Sequence, residues 1–389
     1  MVSRRKRLER KKQTQKRKII FISIIGIIII LLVILYRNID VKGNNADKVI
    51  TEDKDNNIEI EEPKEKQNTE SEDNEEKIDF IISAAGDFTL GTDTKFSYSG
   101  SFTEAVQLYG YDYKTFMKNV YDVFNQDDYT FVNLETTFTD SDEKAYKQGN
   151  VFYNFKGDKS YVNILKEGSI EGVTVDNNHI YDYGEQGFND TIQVLSENAI
   201  DYCGNGYKII REIKGVKIGL LGYSAWYVTD ELKNKISSDI QELRNAGCII
   251  VIPYFHWGQE SQSYPDATQV EIGRYAVDCG ADLVLGSHPH VIQTIEYYNN
   301  TIIAYSLGNF CFGGNNNPMD KDTFILQTHF SIDGNNVVDK TYKIIPTTIS
   351  SVNYKNDYIP TIATAERKRE IYSKIYSLSP TIQGIIEEN

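Results

Sequence analysis

The stretch "GADLVLGSHPHVIQ", Gly280 to Gln293, joins a short apolar run to two histidines one residue apart. The run reads as a buried strand, and His288 and His290 follow at its carboxyl end. In extended backbone, residues two apart point to the same side, so the spacing predicts two imidazoles converging on one space. Pro289 between them removes a ladder donor and ends the strand, which sends the pair into a loop. Such a pair reads either as metal ligands or as loop histidines bonded to water. What the rest of the chain delivers to the same place decides between them.

Outward from this stretch, short apolar runs alternate with helical patterns from Ile78 onward, which predicts an α/β layered fold. "IDFIISAAG", "YTFVNLE", "EGVTVDNNH", "VKIGLLGY", "CIIVIPYFHWG", "TIIAYSLGNF" and "FILQTHFSI" read as further strands. "SYVNILKEG", "GEQGFNDTIQVLSENA", "TQVEIGRYAVDCG" and "ERKREIYSKIYSLS" read as helices, the third stopped by Gly280. Polar residues gather where these strands end. Asp87 follows the first, Asn133 and Glu135 close the second, and Asn177, Asn178 and His179 close the third; His256 and the His288/His290 pair end two more. Ligands of open α/β sheets bind outside the carboxyl ends of strands, where the loops converge. Five strand ends therefore offer metal-ligand residue types to one edge.

Asp87, Glu135, Asn178, His256, His288 and His290 are more ligands than one tetrahedral ion takes. Two ions about 3.5–4 Å apart, bridged by a carboxylate, would use them economically and could activate water. Nitrogen and oxygen donors without cysteine suit zinc, manganese or iron(II), bound as one or two divalent ions. His179, beside Asn178, reads as the general acid that protonates a leaving group. Asn133, Asn177, Glu260 and Asn309 read as supporting or substrate-contacting groups. Each residue alone has an ordinary alternative: Asp87 as a turn residue, Asn133 and Glu135 as solvated strand ends, the Asn177–Asn178 pair as tolerant of left-handed backbone. Their recurrence argues for the site, since four of the five histidines fall in these loops. The fifth, His329, reads as an ordinary strand residue.

The amino terminus has a different texture. Residues 1–18 are a basic segment expected in the cytoplasm, and residues 19–36, "IIFISIIGIIIILLVILY", are an uncharged run long enough to cross a bilayer. No small-x-small cleavage site follows, so the run reads as an uncleaved single-pass anchor in the cell membrane with the body extracellular. Residues 37–77 are charged and poor in aromatics, an acidic, disordered tether. The domain is expected over residues 78–350, with a C-terminal extension carrying a surface helix over 351–389. The basic segment holds ten Lys and Arg and one Glu, leaving 31 against 55 acidic residues, a net charge of −24, for the remainder. Such a body is a poor nucleic-acid binder. Cys203, Cys248, Cys279 and Cys311 lack metal-site spacing and read as mostly buried free thiols.

"AAGDFTLG", "NLET", "DNNHIYDYGEQGFNDTIQVL", "HWGQE", "GADLVLGSHPHVIQ" and "YSLGNF" occur in this order. Together they resemble the poly-γ-glutamate capsule-synthesis (CapA-type) family over roughly Asp79 to Phe312. The resemblance implies a four-layer αββα sandwich like that of calcineurin-type metallophosphoesterases. It also implies that Asp87, Glu135, Asn178, His256, His288 and His290 hold metal and that His179 is the acid. The chain departs from the wider superfamily at "GDF", where a D-x-H motif is usual, and at "NLE", where Gly-Asp is usual. The function implied is capsule biosynthesis on an anionic polymer such as poly-γ-glutamate, with other membrane components of a capsule synthase as partners, through a metal-dependent hydrolase or transferase site. Two alternatives stand beside it: a secreted metallophosphoesterase of unknown substrate, and a non-catalytic assembly factor.

Overall fold

The computed structural model describes residues 77–147 and 152–387. The chain divides into two units, Met1–Ser71 and Glu72–Asn389, and every described residue belongs to the second. The basic segment, the expected membrane anchor and all but the last residue of the tether lie outside the described residues. Among the described residues no helix is long and apolar enough to cross a membrane.

Among the described residues the strands form three sheets. The largest runs β17 (Thr361–Ile362), β16 (Asn336–Thr348), β15 (Asp322–Asp333), β1 (Ile78–Thr89), β3 (Tyr129–Leu134), β6 (Gly172–Thr174), β7 (Asp201–Cys203), with β14 (Asn309–Phe312) against β1 and β18 (Ile386–Glu387) against β16. The second runs β12 (Ile295–Tyr298), β13 (Thr301–Ala304), β11 (Val284–Ser287), β10 (Ile250–Trp257), β9 (Val216–Ala225), β8 (Ile209–Ile213). A small third sheet joins β2 (Thr92–Asp93), β5 (Phe155–Gly157) and β4 (Thr137–Phe138). Strands β1, β3, β6 and β7 are parallel, as are β9, β10, β11 and β13. Each parallel set therefore sends all its carboxyl ends to one edge.

Period-two alternation builds the layers. In β10, Ile250, Ile252 and Tyr254 enter the same core as Phe80 and Ile82 of β1 and Phe131 of β3, while Val251, Phe255 and Trp257 enter another. The two large sheets thus face each other across a shared core. Phe131 meets Tyr254 edge-on at 5.4 Å, and the Tyr254 hydroxyl donates to the Ala85 carbonyl at 2.9 Å. Helices Asp230–Asn245 and Ala267–Asp278 cover the outer face of the second sheet; Phe102–Leu108, Val162–Glu167 and Gly184–Glu197 cover that of the first. The result is a mixed α/β sandwich. Helix Ala267–Asp278 shows its local cause: Asp266 and Gln269 form a capping box at its start, and Gly280 at φ +103° follows its end. The C-terminal helix Ala365–Leu378 buries Ile371, Ile375 and Leu378 in the core between the sheets. Cys203, Cys248 and Cys311 are buried, Cys279 is partly buried, and all four are free thiols.

Candidate metal centre

In β1, β3 and β10 the inner face is apolar until the carboxyl end, and there it becomes polar. In β3, Tyr129 and Phe131 face the shared core, so Asn133 and then Glu135, the residue after the strand, continue the same face. In β10, His256 continues the face of Tyr254. Asp87 reaches that space by a different route. Regular alternation from Phe80, Ile82 and Ala84 would turn it outward. One extra residue in β1 opposite β3, between the pairs Ala84/Phe131 and Asp87/Asn133, reverses the faces and points Asp87 inward. Gly86 permits the bulge, because a Cβ there would lie 1.7 Å from the Gly308 carbonyl oxygen.

These side chains form a buried cluster around Glu135. Its Oε1 lies 3.5 Å from His256 Nε2 and 4.0 Å from His179 Nε2; its Oε2 lies 3.9 Å from His290 Nδ1 and accepts from the Thr89 hydroxyl at 3.3 Å. Asp87 Oδ1 accepts from Asn133 Nδ2 at 2.8 Å, and Asp87 Oδ2 lies 3.3 Å from His290 Nδ1. Asn178 Oδ1 faces His256 Nε2 at 2.6 Å. Ligand atoms of Glu135, His256 and His288 lie within 4.8 Å of one another, as do those of Asp87, Glu135 and His290 and those of Glu260, His288 and His290. Glu135, His288 and His290 each belong to two of these groups. Asn133, Asn177 and Asn309 stand behind the ligands. Asn177 Nδ2 donates to Asn133 Oδ1 at 3.1 Å, and Asn309 Oδ1 meets His290 Nδ1 at 2.9 Å. Glu260 is exposed at the rim.

The donor set fits a divalent cation. Glu135 Oε1 and His288 Nδ1 are buried without a hydrogen-bond partner, lone pairs that ordinary packing leaves unsatisfied only at a cost. Electrostatics agree. Burial and then the charge of Asp87 push the Glu135 carboxyl well above its usual range. Burial, with His290 beside it, lowers His288 to about 3, and burial with His288 and His290 lowers His256 well below the usual imidazole range. Both rings are neutral at neutral pH, the form that ligates a metal; His288 Nδ1 has no partner, whereas both His256 nitrogens face hydrogen-bonding groups. At His290 burial works downward, but Glu135, Asp87 and Glu260 overcome it and raise the ring to about 10. At Asp87 burial works upward, and the His290, Asn133 and Ser287 contacts outweigh it and hold the carboxyl low. The charged His290 ring thus sits between Asp87 and Glu135, 3.3 and 3.9 Å from their oxygens.

His179 sits beside the cluster in the geometry of an oriented acid. Its Nδ1 lies 2.7 Å from Asp182 Oδ2, leaving Nε2 toward Glu135. Asp182 is fully buried, accepts from the Phe155 amide at 2.6 Å and pairs with Lys147. Lys147 also donates to the Asn178 carbonyl at 3.1 Å and lies 3.3 Å from His179 Nδ1. Burial lowers His179 despite Asp182.

Sequence reading missed Asp182, Lys147, Ser287, which lies 3.1 Å from His256 Nδ1, and Trp226, whose ring is 4.8 Å from that of His288. Only Asp182 left a signal, its i,i+3 spacing from His179 in "HIYD". His288 and His290 do not converge by the extended alternation that their spacing predicts. Strand β11 stops at Ser287, and both histidines adopt left-handed backbone, φ +95° and +59°. Their rings come together, 5.9 Å apart, through a strained loop rather than extended alternation.

Residues 81–314, which contain every side chain of the cluster, match the family model described as "Bacterial capsule synthesis protein PGA_cap". The chain is 26% identical over 316 residues to the capsule biosynthesis protein CapA of Bacillus anthracis, covering 76% of this chain and 72% of that protein. It is 31% identical over 232 residues to the PGA biosynthesis protein CapA of Bacillus subtilis (strain 168), covering 54% of this chain and 60% of that protein. Among solved structures, a hypothetical protein from Thermus thermophilus aligns with a TM-score of 0.41 at 14% identity, over 69% of this chain and 99% of its own. With more than half of its length matched by the family model, the chain belongs to the bacterial capsule synthesis protein PGA_cap family.

Proposed function

We propose that this protein is a capsule-biosynthesis protein acting on an anionic polymer such as poly-γ-glutamate through a metal-dependent hydrolase or transferase site. One observation carries the reading: within the family-matched span, Glu135 Oε1 and His288 Nδ1 are buried without partners among converging carboxylate, imidazole and amide groups. Asp87, Glu135, Asn178, His256, His288 and His290 would hold the divalent metal, one or two ions of manganese, zinc or iron. Bound there, such an ion supplies Lewis-acid activation of water and of a carbonyl or phosphoryl oxygen. His179 holds the proton for the leaving group at Nε2, while Asp182 fixes the ring by accepting from Nδ1. Asn133 and Asn309 hold Asp87 and His290 in place. The motifs support a metallophosphoesterase-like reading of the sandwich, and the basic and apolar amino terminus supports a single-pass membrane anchor with the body outside the cell, beside other components of a capsule synthase.

Capsule polymer measured in cells carrying His179→Ala or His288→Ala at normal protein level tests the reading. His179→Ala should retain metal and lose roughly 10²–10⁴-fold in rate, the usual contribution of a positioned acid, whereas His288→Ala should lose metal and polymer together. Full capsule with both variants would leave the chain an assembly factor. Loss only where metal is lost would make the ions structural.

A further inference from the structure

Strand β10 ends at Trp257, and the residues that follow, Gly258 to Gln262, are tied to the loop that carries His288 and His290. The Ser261 amide donates at 2.8 Å to the carbonyl of Pro289, the residue between the two histidines. Gln293, fully buried, donates from Nε2 to the carbonyls of Gln262 and Tyr264 at 2.9 and 3.2 Å, and its Oε1 accepts from Gln269 Nε2 at 2.8 Å. Two left-handed residues bend the segment, Gly258 at φ +82° and Ser261 at φ +64°. Gly258 has no room for a side chain, since a Cβ there would lie 2.5 Å from Gln269 Oε1. Left-handed backbone is uncommon for serine, and these hydrogen bonds hold Ser261 in it against the strain.

This turn delivers Glu260 to the cluster. Its side chain is exposed, yet a carboxylate oxygen, a His288 nitrogen and a His290 nitrogen all lie within 4.8 Å of one another. Among the described residues no lysine or arginine pairs with Glu260. His288, on the facing loop, has its Nδ1 buried without a partner. Without Glu260 the donors divide unevenly. Glu135, His256 and His288 stand together, with Asn178 Oδ1 2.6 Å from His256 Nε2, and these four complete one tetrahedral set. Asp87, Glu135 and His290 form a second group of three. Thr89, two residues beyond Asp87, gives its hydroxyl to Glu135 Oε2 at 3.3 Å and adds no ligand to that group. An octahedral ion such as manganese(II) takes further oxygen donors, carboxylates above all.

We propose that Glu260 is itself a metal ligand, a carboxylate that the turn after β10 supplies from the rim to the divalent cation held by Asp87, Glu135 and His290. The inference rests on the metal reading given above and deepens it. Full-length protein stripped with chelator and titrated with Mn²⁺ by calorimetry tests it. Glu260→Ala should weaken the binding of one ion about tenfold or more, at least the low end of what loss of an outer-shell partner brings. The side chain is exposed, so the substitution leaves the core untouched. The loss should persist in 1 M salt, where the Debye length is about 3 Å and a charge acting from a distance is screened. Wild type and variant loaded with Co²⁺ should also differ in visible absorption, which reports the atoms bound to the ion. Superimposable isotherms, a loss that disappears in 1 M salt, or identical spectra would each overturn the assignment of Glu260 and leave the metal centre standing. Wild-type protein that binds no Mn²⁺ overturns the metal reading, and the part of Glu260 with it.

Discussion

Glu135→Gln separates the demands of folding from those of metal binding. The Glu135 side chain is fully buried, its Oε1 lacks a partner, and the Asp87 carboxylate repels its charge. An amide of nearly the same shape removes that charge and still accepts from the Thr89 hydroxyl. With a chelator present, the variant should therefore be more stable than the wild type by about 1–3 kcal/mol, the cost of a poorly satisfied buried polar group. A domain of this size converts that to a rise in Tm of roughly 2–6 °C. Excess Mn²⁺ or Zn²⁺ should shift the balance toward the wild type. At a hundred times Kd, metal stabilises the wild type by about 2.7 kcal/mol. Removing a carboxylate that belongs to two ligand groups should weaken binding by at least the roughly 10–100-fold of an outer-shell loss, which removes about half or more of that gain. Thermal melts with chelator and with metal, together with elemental analysis, read both effects. A variant that melts below the wild type in chelator, or binds metal as tightly, would refute the reasoning.

Gly86→Ala should be among the most damaging small substitutions in the body. Its methyl would fall 1.7 Å from the Gly308 carbonyl oxygen, and the backbone shift should cost about 1–3 kcal/mol or more and reduce bound metal by displacing Asp87; a denaturant midpoint and metal content equal to wild type would show the bulge to be unnecessary. At the opposite end of β3, burial pushes Asp127 and Glu171 each up to about 7. The folded state then holds protons that the unfolded chain has released by about pH 4, so their contribution is fully present below about 4 and is lost as pH rises through about 7, an effect of a few kcal/mol. Asp127→Asn should flatten that fall in chemical denaturation between pH 4 and 8, and an unchanged slope would refute the assignment. For topology, protease added to intact cells should remove the body and spare a fragment containing Ile19 to Tyr36; recovery of soluble protein beginning near residue 40 would show cleavage instead.

The amino-acid sequence by itself determined the α/β class, several of the strands and much of the chemistry at their carboxyl ends. Period-two alternation is a local property, and it carries Asn133 and Glu135 onward from Phe131 and His256 onward from Tyr254 without knowledge of the partner strands. His179 was legible beside Asn178 because the turn after β6 delivers consecutive residues to one place. Only the tertiary structure decided the rest. Asp87 faces inward because an extra residue in β1 reverses the alternation, and that bulge is set by the approach of Gly86 to Gly308, distant in sequence. His288 and His290 converge through left-handed backbone, which the alternation rule does not contain and which the surrounding fold must hold against its strain. Asp182 is held in place by the Phe155 amide and Lys147, both distant in sequence. Faces within a regular strand follow from covalent geometry; bulges, strained loops and the pairing of distant turns follow from contacts that form only when the chain is folded.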